Sequence, residues 1–180
     1  MKRAGVCFLL VIVVHAATKI PEGRLPEMLA ACNVASMLFC AGLLGGSETL
    51  VTIGFLFHIG VGFWAWLIDI AVNHETTPTS ALVHILPLVL GFQIVRRKGV
   101  PSTTAWFGLG LWLMLQPISY FLTEPKLNVN LVHAGWEPVA RHLPSVWVNH
   151  ALNALGVAFG LFVAQAILRR KFASYEQAAT

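Results

Sequence analysis

The sequence predicts an all-helical membrane protein of six spans, and three observations carry that prediction: long apolar runs, a scarcity of charge, and a sidedness in where the charges fall. Of 180 residues, 57% are hydrophobic and 11% charged, and the mean hydropathy is +0.72. A soluble domain of this size cannot hide so much apolar surface. The hydrocarbon core of a bilayer is about 30 Å thick and calls for roughly 20 apolar residues of helix per crossing. The predicted helices are residues 4–18, 26–45, 49–72, 79–95, 105–123 and 145–168, forming one integral membrane domain over residues 1–180.

Taken in order, the first helix is short. Met1-Lys2-Arg3 ahead of an apolar run through Val14 imitates a signal peptide, with Val14-His15-Ala16 in place of a cleavage site. His15 is out of character there, so we read a retained helix. Pro26 opens the second, and Gly46-Ser47-Glu48 links it briefly to the third. The fourth stops at Gly99 and Pro101 after the basic run Arg96-Arg97-Lys98. Pro87 and Pro117 inside the fourth and fifth either bend them or open a cavity. The connection from Glu124 to Pro144 is longer than packed helices need. Its Pro125, Trp136, Pro138, Pro144, His133 and His142 suit an interfacial rim or lid.

Orientation follows from Lys and Arg. Lys2, Arg3, Arg96, Arg97, Lys98, Arg169, Arg170 and Lys171 share one side of a six-span arrangement, against Lys19, Arg24, Lys126 and Arg141 on the other. The positive-inside rule then places both termini in the cytoplasm. The net charge of +4 reflects topology and implies no nucleic-acid partner. Membrane lipids are the expected partners, and small size with an Ala-rich composition points to a bacterial inner membrane. Cys7, Cys32 and Cys40 are odd in number and lie within helices, so no disulfide framework is expected. There is no repeat, CxxC, P-loop or GxGxxG.

Polar groups within spans are costly and usually face a bundle interior or a wet cavity. Near the outer boundary, the second helix offers Glu27, Cys32 and Asn33, the fourth Thr79, Ser80 and His84, and the sixth Asn149, His150 and Asn153. All lie within about two turns of that boundary. Cys32 with His84 suits nucleophilic chemistry, because an imidazole that takes the thiol proton allows thioester formation and acyl transfer to an alcohol or water. Ser80, four residues before His84, either orients the imidazole or serves as nucleophile. Asn33, Asn149 and Asn153 are candidate donors to a developing oxyanion, with His150 beside them in the substrate-binding set. Each has a bland reading too: Cys32 as a small buried residue, His84 as a structural hydrogen-bonding group.

His58 lies mid-span with Gly54 and Gly62 a turn away on either side. Haem ligation needs a second His at that depth, and none is expected, which leaves close helix packing with a hydrogen-bonded imidazole. Gly156 and Gly160 read as packing positions. With no HxxH, HxxxH or HExxH, no metal ligand set and no cofactor is assigned.

The order of these features resembles the YwaF-like membrane proteins, the eukaryotic transmembrane acyltransferases and the androgen-induced fatty-acid-ester hydrolases. The matching features are Arg24-Leu25-Pro26 before Cys32-Asn33, a Gly-rich third helix, His84 in Val-His-Ile-Leu-Pro, the basic Pro-containing link at Arg96 to Pro101, and the long loop before the last helix. The resemblance implies six helices performing acyl transfer or ester hydrolysis on lipid chains, with a nucleophile on the second helix and a His on the fourth. His84 matches the family's His, while Cys32 falls about two residues late and Ala30 holds the expected place. The leading expectation is therefore a lipid-directed acyltransferase or hydrolase with a pocket near the outer leaflet, Cys32 as nucleophile and His84 as base. The alternatives are a non-catalytic subunit of a larger membrane complex, and a haem or metal protein using His84 and His150.

Overall fold

The computed structural model describes residues 1–73, 76–135, 142 and 145–172. Expectations placed on Trp136, Pro138, Arg141 and Pro144 fall outside those residues. All regular structure among the described residues is helical. The long elements are α1 (Lys2–Lys19), α2 (Ala31–Gly45), α3 (Glu48–Phe57), α4 (Phe63–Asn73), α5 (Pro78–Lys98), α6 (Thr104–Leu122) and α7 (Val146–Phe172). A π-helical turn over His58–Gly62 joins α3 to α4, making one rod of the predicted third span.

Four helices are long and apolar enough to cross a membrane: Glu48–Val72, Pro78–Lys98, Thr104–Leu122 and Val146–Phe172. Ala31–Gly45 is apolar but shorter. The second helix begins at Ala31 rather than Pro26, because Ala30 has an extended ψ of 140° that separates it from a 3-10 turn over Leu25–Leu29. Asn130, 99 residues away, caps the delayed start by accepting from Ala31 N at 2.8 Å. Its amide nitrogen donates to Leu29 O and Ser119 Oγ. One side chain thus ties the long connection to α2 and α6, and at φ 56° it takes the left-handed conformation that Asn tolerates best after Gly.

The core is built where α1, α2 and α3 meet. Phe8 and Phe39 pack edge to face at 6.0 Å, and Leu43, Val51 and Phe55 are buried with them. Glycine sets the distance between α2 and α3: a Cβ on Gly54 would stand 2.6 Å from Phe39 N, too close for any side chain. At Gly160 on α7 a Cβ would collide with Gly60 O, which seats α7 against the π turn. Trp106, Phe121, Trp147 and Phe159 on α6 and α7 face outward, as lipid-facing side chains do.

Pro87 organises the centre of the bundle. Having no N–H, it leaves the carbonyl of Val83 without its helical donor. Ser36 on α2 donates to that carbonyl at 2.9 Å, and His58 Nε2 donates to the adjacent His84 carbonyl at 2.8 Å. Gln165 plays a similar part at the start of α6, accepting from Ala105 N and donating to Ser102 O.

The basic clusters gather at one end. Phe92 and Phe172 are in contact beside Arg96 to Lys98 and Arg169 to Lys171, Lys98 pairs with Glu48, and Gly5 near Lys2 and Arg3 packs on Leu44. Cations at the C-termini of α5 and α7 also suit the negative ends of those helix dipoles.

Candidate functional site

At the end of the bundle away from the basic clusters lies a cavity of about 970 Å³. Its walls come from the end of α1 (His15, Lys19), the 3-10 turn (Glu27), the start of α2 (Cys32, Asn33), α4 (Trp66, Asp69) and the start of α5 (Ser80, His84). Leu127 and Val129 of the long connection close one side. Cys32 and Asn33 of α2 and Ser80 and His84 of α5 thus line one chamber.

His84 is fixed from two directions. Its Nδ1 donates to Ser80 O at 2.7 Å, and because a carbonyl only accepts, the neutral ring carries its proton there. Its other nitrogen, Nε2, is therefore a lone pair, and it is buried with no hydrogen-bond partner. Trp66 stacks on the imidazole at 4.7 Å and 9°, and the Trp66 indole N–H donates to Ser80 Oγ at 3.1 Å. The backbone carbonyl of Ser80 thus fixes the orientation of the His84 ring.

Cys32 packs on Gly62, where a Cβ would stand 2.8 Å from Cys32 Cα. No hydrogen bond joins its thiol to His84 among the described residues; what they share is the cavity. Asn33 donates from Nδ2 to Glu27 O at 2.9 Å and leaves its carbonyl Oδ1 buried without a partner. The unpaired atom is therefore an acceptor rather than the donor expected for an oxyanion.

Glu27 anchors the rim. It receives Lys19 Nζ and Arg24 Nε, each at 2.6 Å. Burial works against its charge, but the hydrogen bonds from Arg24 and Lys19 outweigh it and hold its pKa below the usual value. The hydrogen bond to Glu27 raises that of Arg24 in return. Across the rim, His15 Nδ1 and Thr79 Oγ1 are 3.2 Å apart and link α1 to α5.

Two expectations change. The last helix does not line the cavity: Asn149 donates to Ser145 O and presses on Gly135, and the His150 ring sits 5.9 Å from Trp147 on its own helix. Asn153, one turn on from Asn149, is half-buried and also outside it. The reason is that α7 docks on the π turn and α6, so α1 and α4 supply the remaining walls. The second change concerns depth, because the His58 and His84 rings lie 5.4 Å apart although residue counting put them at different levels. His58 Nε2 is engaged by the His84 carbonyl and its Nδ1 has no partner.

No protein-family model, curated protein or solved structure matches this chain. What the site does must be read from its own geometry. Among the described residues, no group of three or more His, Cys, Asp and Glu is placed to hold a metal ion. Trp66 and Asp69 were missed in the sequence; their i, i+3 spacing beside the charge of Asp69 was the available signal.

Proposed function

We propose that the protein is a six-span membrane enzyme with cytoplasmic termini that transfers or hydrolyses lipid acyl groups in the cavity opposite its basic end. The observation that carries this reading is the unpartnered Nε2 of His84, held in one tautomer by the Ser80 carbonyl, on a cavity that Cys32 also lines. A general base needs that arrangement: one ring nitrogen anchored, the other with its lone pair available.

In this reading His84 Nε2 takes the thiol proton of Cys32 as the sulfur adds to an acyl-ester carbonyl. The tetrahedral adduct collapses to a thioester, and the departing alkoxide takes the proton back from His84. A second alcohol, or water, then loses its proton to His84 and attacks the thioester, which releases the acyl product and restores the thiol. Trp66 keeps the imidazole in plane, and the outer position of the cavity fits the resemblance to transmembrane acyltransferases.

An alkyne-tagged fatty acyl ester with a good leaving group tests the scheme. We expect a hydroxylamine-labile acyl group at Cys32, absent from Cys32→Ala and formed about 100-fold more slowly in His84→Gln. A label that persists in Cys32→Ala, or no label on the folded wild type, overturns it.

A further inference from the structure

We infer that the cavity binds a polar head group through hydrogen-bond donors, hydroxyl or ammonium, and that these donors meet Asn33 Oδ1 and His84 Nε2. This rests on the acyl-transfer reading only in taking the ligand to be the acyl acceptor.

The two orphaned atoms are of one kind. Chemistry alone fixes their identities: Glu27 O and Ser80 O can only accept, so Asn33 must present Nδ2 to the first and His84 must present Nδ1–H to the second. What remains on each side chain is an acceptor. Both side chains line the cavity, and they are only 4% and 2% exposed. Buried polar groups without partners are rare in folded proteins, and each one calls for an explanation. Two buried acceptors on side chains that line one chamber, from different helices, have a common explanation in a ligand rich in donors.

Several donors of the chamber wall are already engaged. Thr18 Oγ1 donates to His15 O, Trp66 Nε1 to Ser80 Oγ, and Lys19 Nζ and Arg24 Nε to Glu27. An acceptor-only group such as a carboxylate therefore finds nothing on Asn33 or His84 to bind it. Neither orphan is open to bulk water, so an entering group sheds its own hydration and must regain hydrogen bonds from the wall. That condition makes a site selective, because a ligand lacking the donors leaves buried acceptors unpaired. A hydroxyl or protonated amine set against His84 Nε2 is also where an acyl acceptor has to stand to lose its proton.

Nanodiscs of phosphatidylcholine carrying a minor fraction of a second lipid provide the test. Alkylation of Cys32 is followed by peptide mass spectrometry, with exposed Cys7 as the internal control. Phosphatidylethanolamine brings ammonium donors, phosphatidylglycerol brings hydroxyl donors, and the two arms distinguish the sources. We expect one or both to slow alkylation of Cys32 by about tenfold while leaving Cys7 unchanged. Protection should fall stepwise through the N-methylated ethanolamine lipids, which lose donors while keeping phosphate and chains, and should be lost in Asn33→Leu. The methylation series uses wild-type protein and decides the matter if Asn33→Leu does not fold. Equal protection by every lipid, or none by any, overturns the inference. Acylation of Cys32 without protection sinks the inference alone, and protection without acylation sinks the catalytic reading alone.

Discussion

The middle of the bundle and its cavity end treat a displaced polar group in opposite ways. Around Pro87 the freed carbonyl of Val83 is taken up by Ser36, and the His84 carbonyl by His58; at the start of α6, Gln165 meets two backbone groups at once. On side chains that line the cavity, Asn33 Oδ1 and His84 Nε2 have no partner; His58 Nδ1 and Gln116 Nε2, whose residues do not line it, are two further such atoms. An unmade buried hydrogen bond costs about 1–3 kcal/mol, so the cavity end is held less stable than it need be. That difference teaches where to look: backbone groups at Pro87 and at the start of α6 are met by side chains, while two side chains that line the cavity each keep an unpartnered acceptor.

The largest break in the comparison comes from the closed region. Gly54→Val puts a branched side chain where even a Cβ meets Phe39 N at 2.6 Å and the Ala35 carbonyl at 2.9 Å. Backbone cannot yield as a flexible side chain can, so α2 and α3 must part. A loss of about 3 kcal/mol is expected, with most of the helix seam disrupted. Unfolding in mixed detergent, followed by circular dichroism, measures it; a stability within error of wild type would mean the helices are not in contact there.

Next in size is Ser36→Ala, which removes the donor to Val83 O and should cost about 1–2 kcal/mol. The comparison sharpens when Pro87→Ala is added. Alanine restores the N–H that Val83 O lacks, so the double variant should regain most of the loss and the cycle should show coupling near the size of the single effect. Additive effects would mean that Ser36 does not stand in for the missing helical donor.

Smaller again is Cys32→Ala. Its thiol makes no hydrogen bond to a neighbouring side chain and it borders a cavity, so folding stability should change by less than about 1 kcal/mol while acylation is lost. A loss as large as that at Gly54 would return Cys32 to the bland reading of a packing residue.

Much of this was legible in the sequence because it needs no knowledge of neighbours. Apolar run length finds the four helices long enough to cross a membrane, and counting inward from a boundary puts Cys32, Asn33, Ser80 and His84 at one level. What residue counting cannot supply is which helices stand side by side and how they turn. That is settled by close approaches at Gly54, Gly62 and Gly160, whose partners are distant in the chain. It moved Asn149, His150 and Asn153 away from the chamber and brought in Trp66 and His15. Depth counting also assumes helices that start flush with one another. His58 and His84 meet all the same, their rings 5.4 Å apart, and His58 Nε2 donates to the His84 carbonyl at 2.8 Å. The delayed start of α2 has a similar origin, since its cap is Asn130 from the long connection.

The smallest expected effect is at the rim, where Glu27 has full partners beside a chamber that lacks them. Its carboxylate is held below the ordinary range by Arg24 and Lys19. A carboxylate whose pKa is depressed on folding contributes stability above its unfolded pKa of about 4.3, and that contribution is lost as pH falls through the lower folded value. Wild type should exceed Glu27→Gln by no more than about 1 kcal/mol at neutral pH, since Arg24 is half-exposed and its pair is weakened by solvent. The two should converge in acid once both carry a neutral group at that position. Thermal unfolding in detergent at neutral pH and below the carboxylate range measures the difference. If it stays the same at both, Glu27 acts by shape rather than charge, and the rim belongs with the closed region of the bundle rather than with the open one.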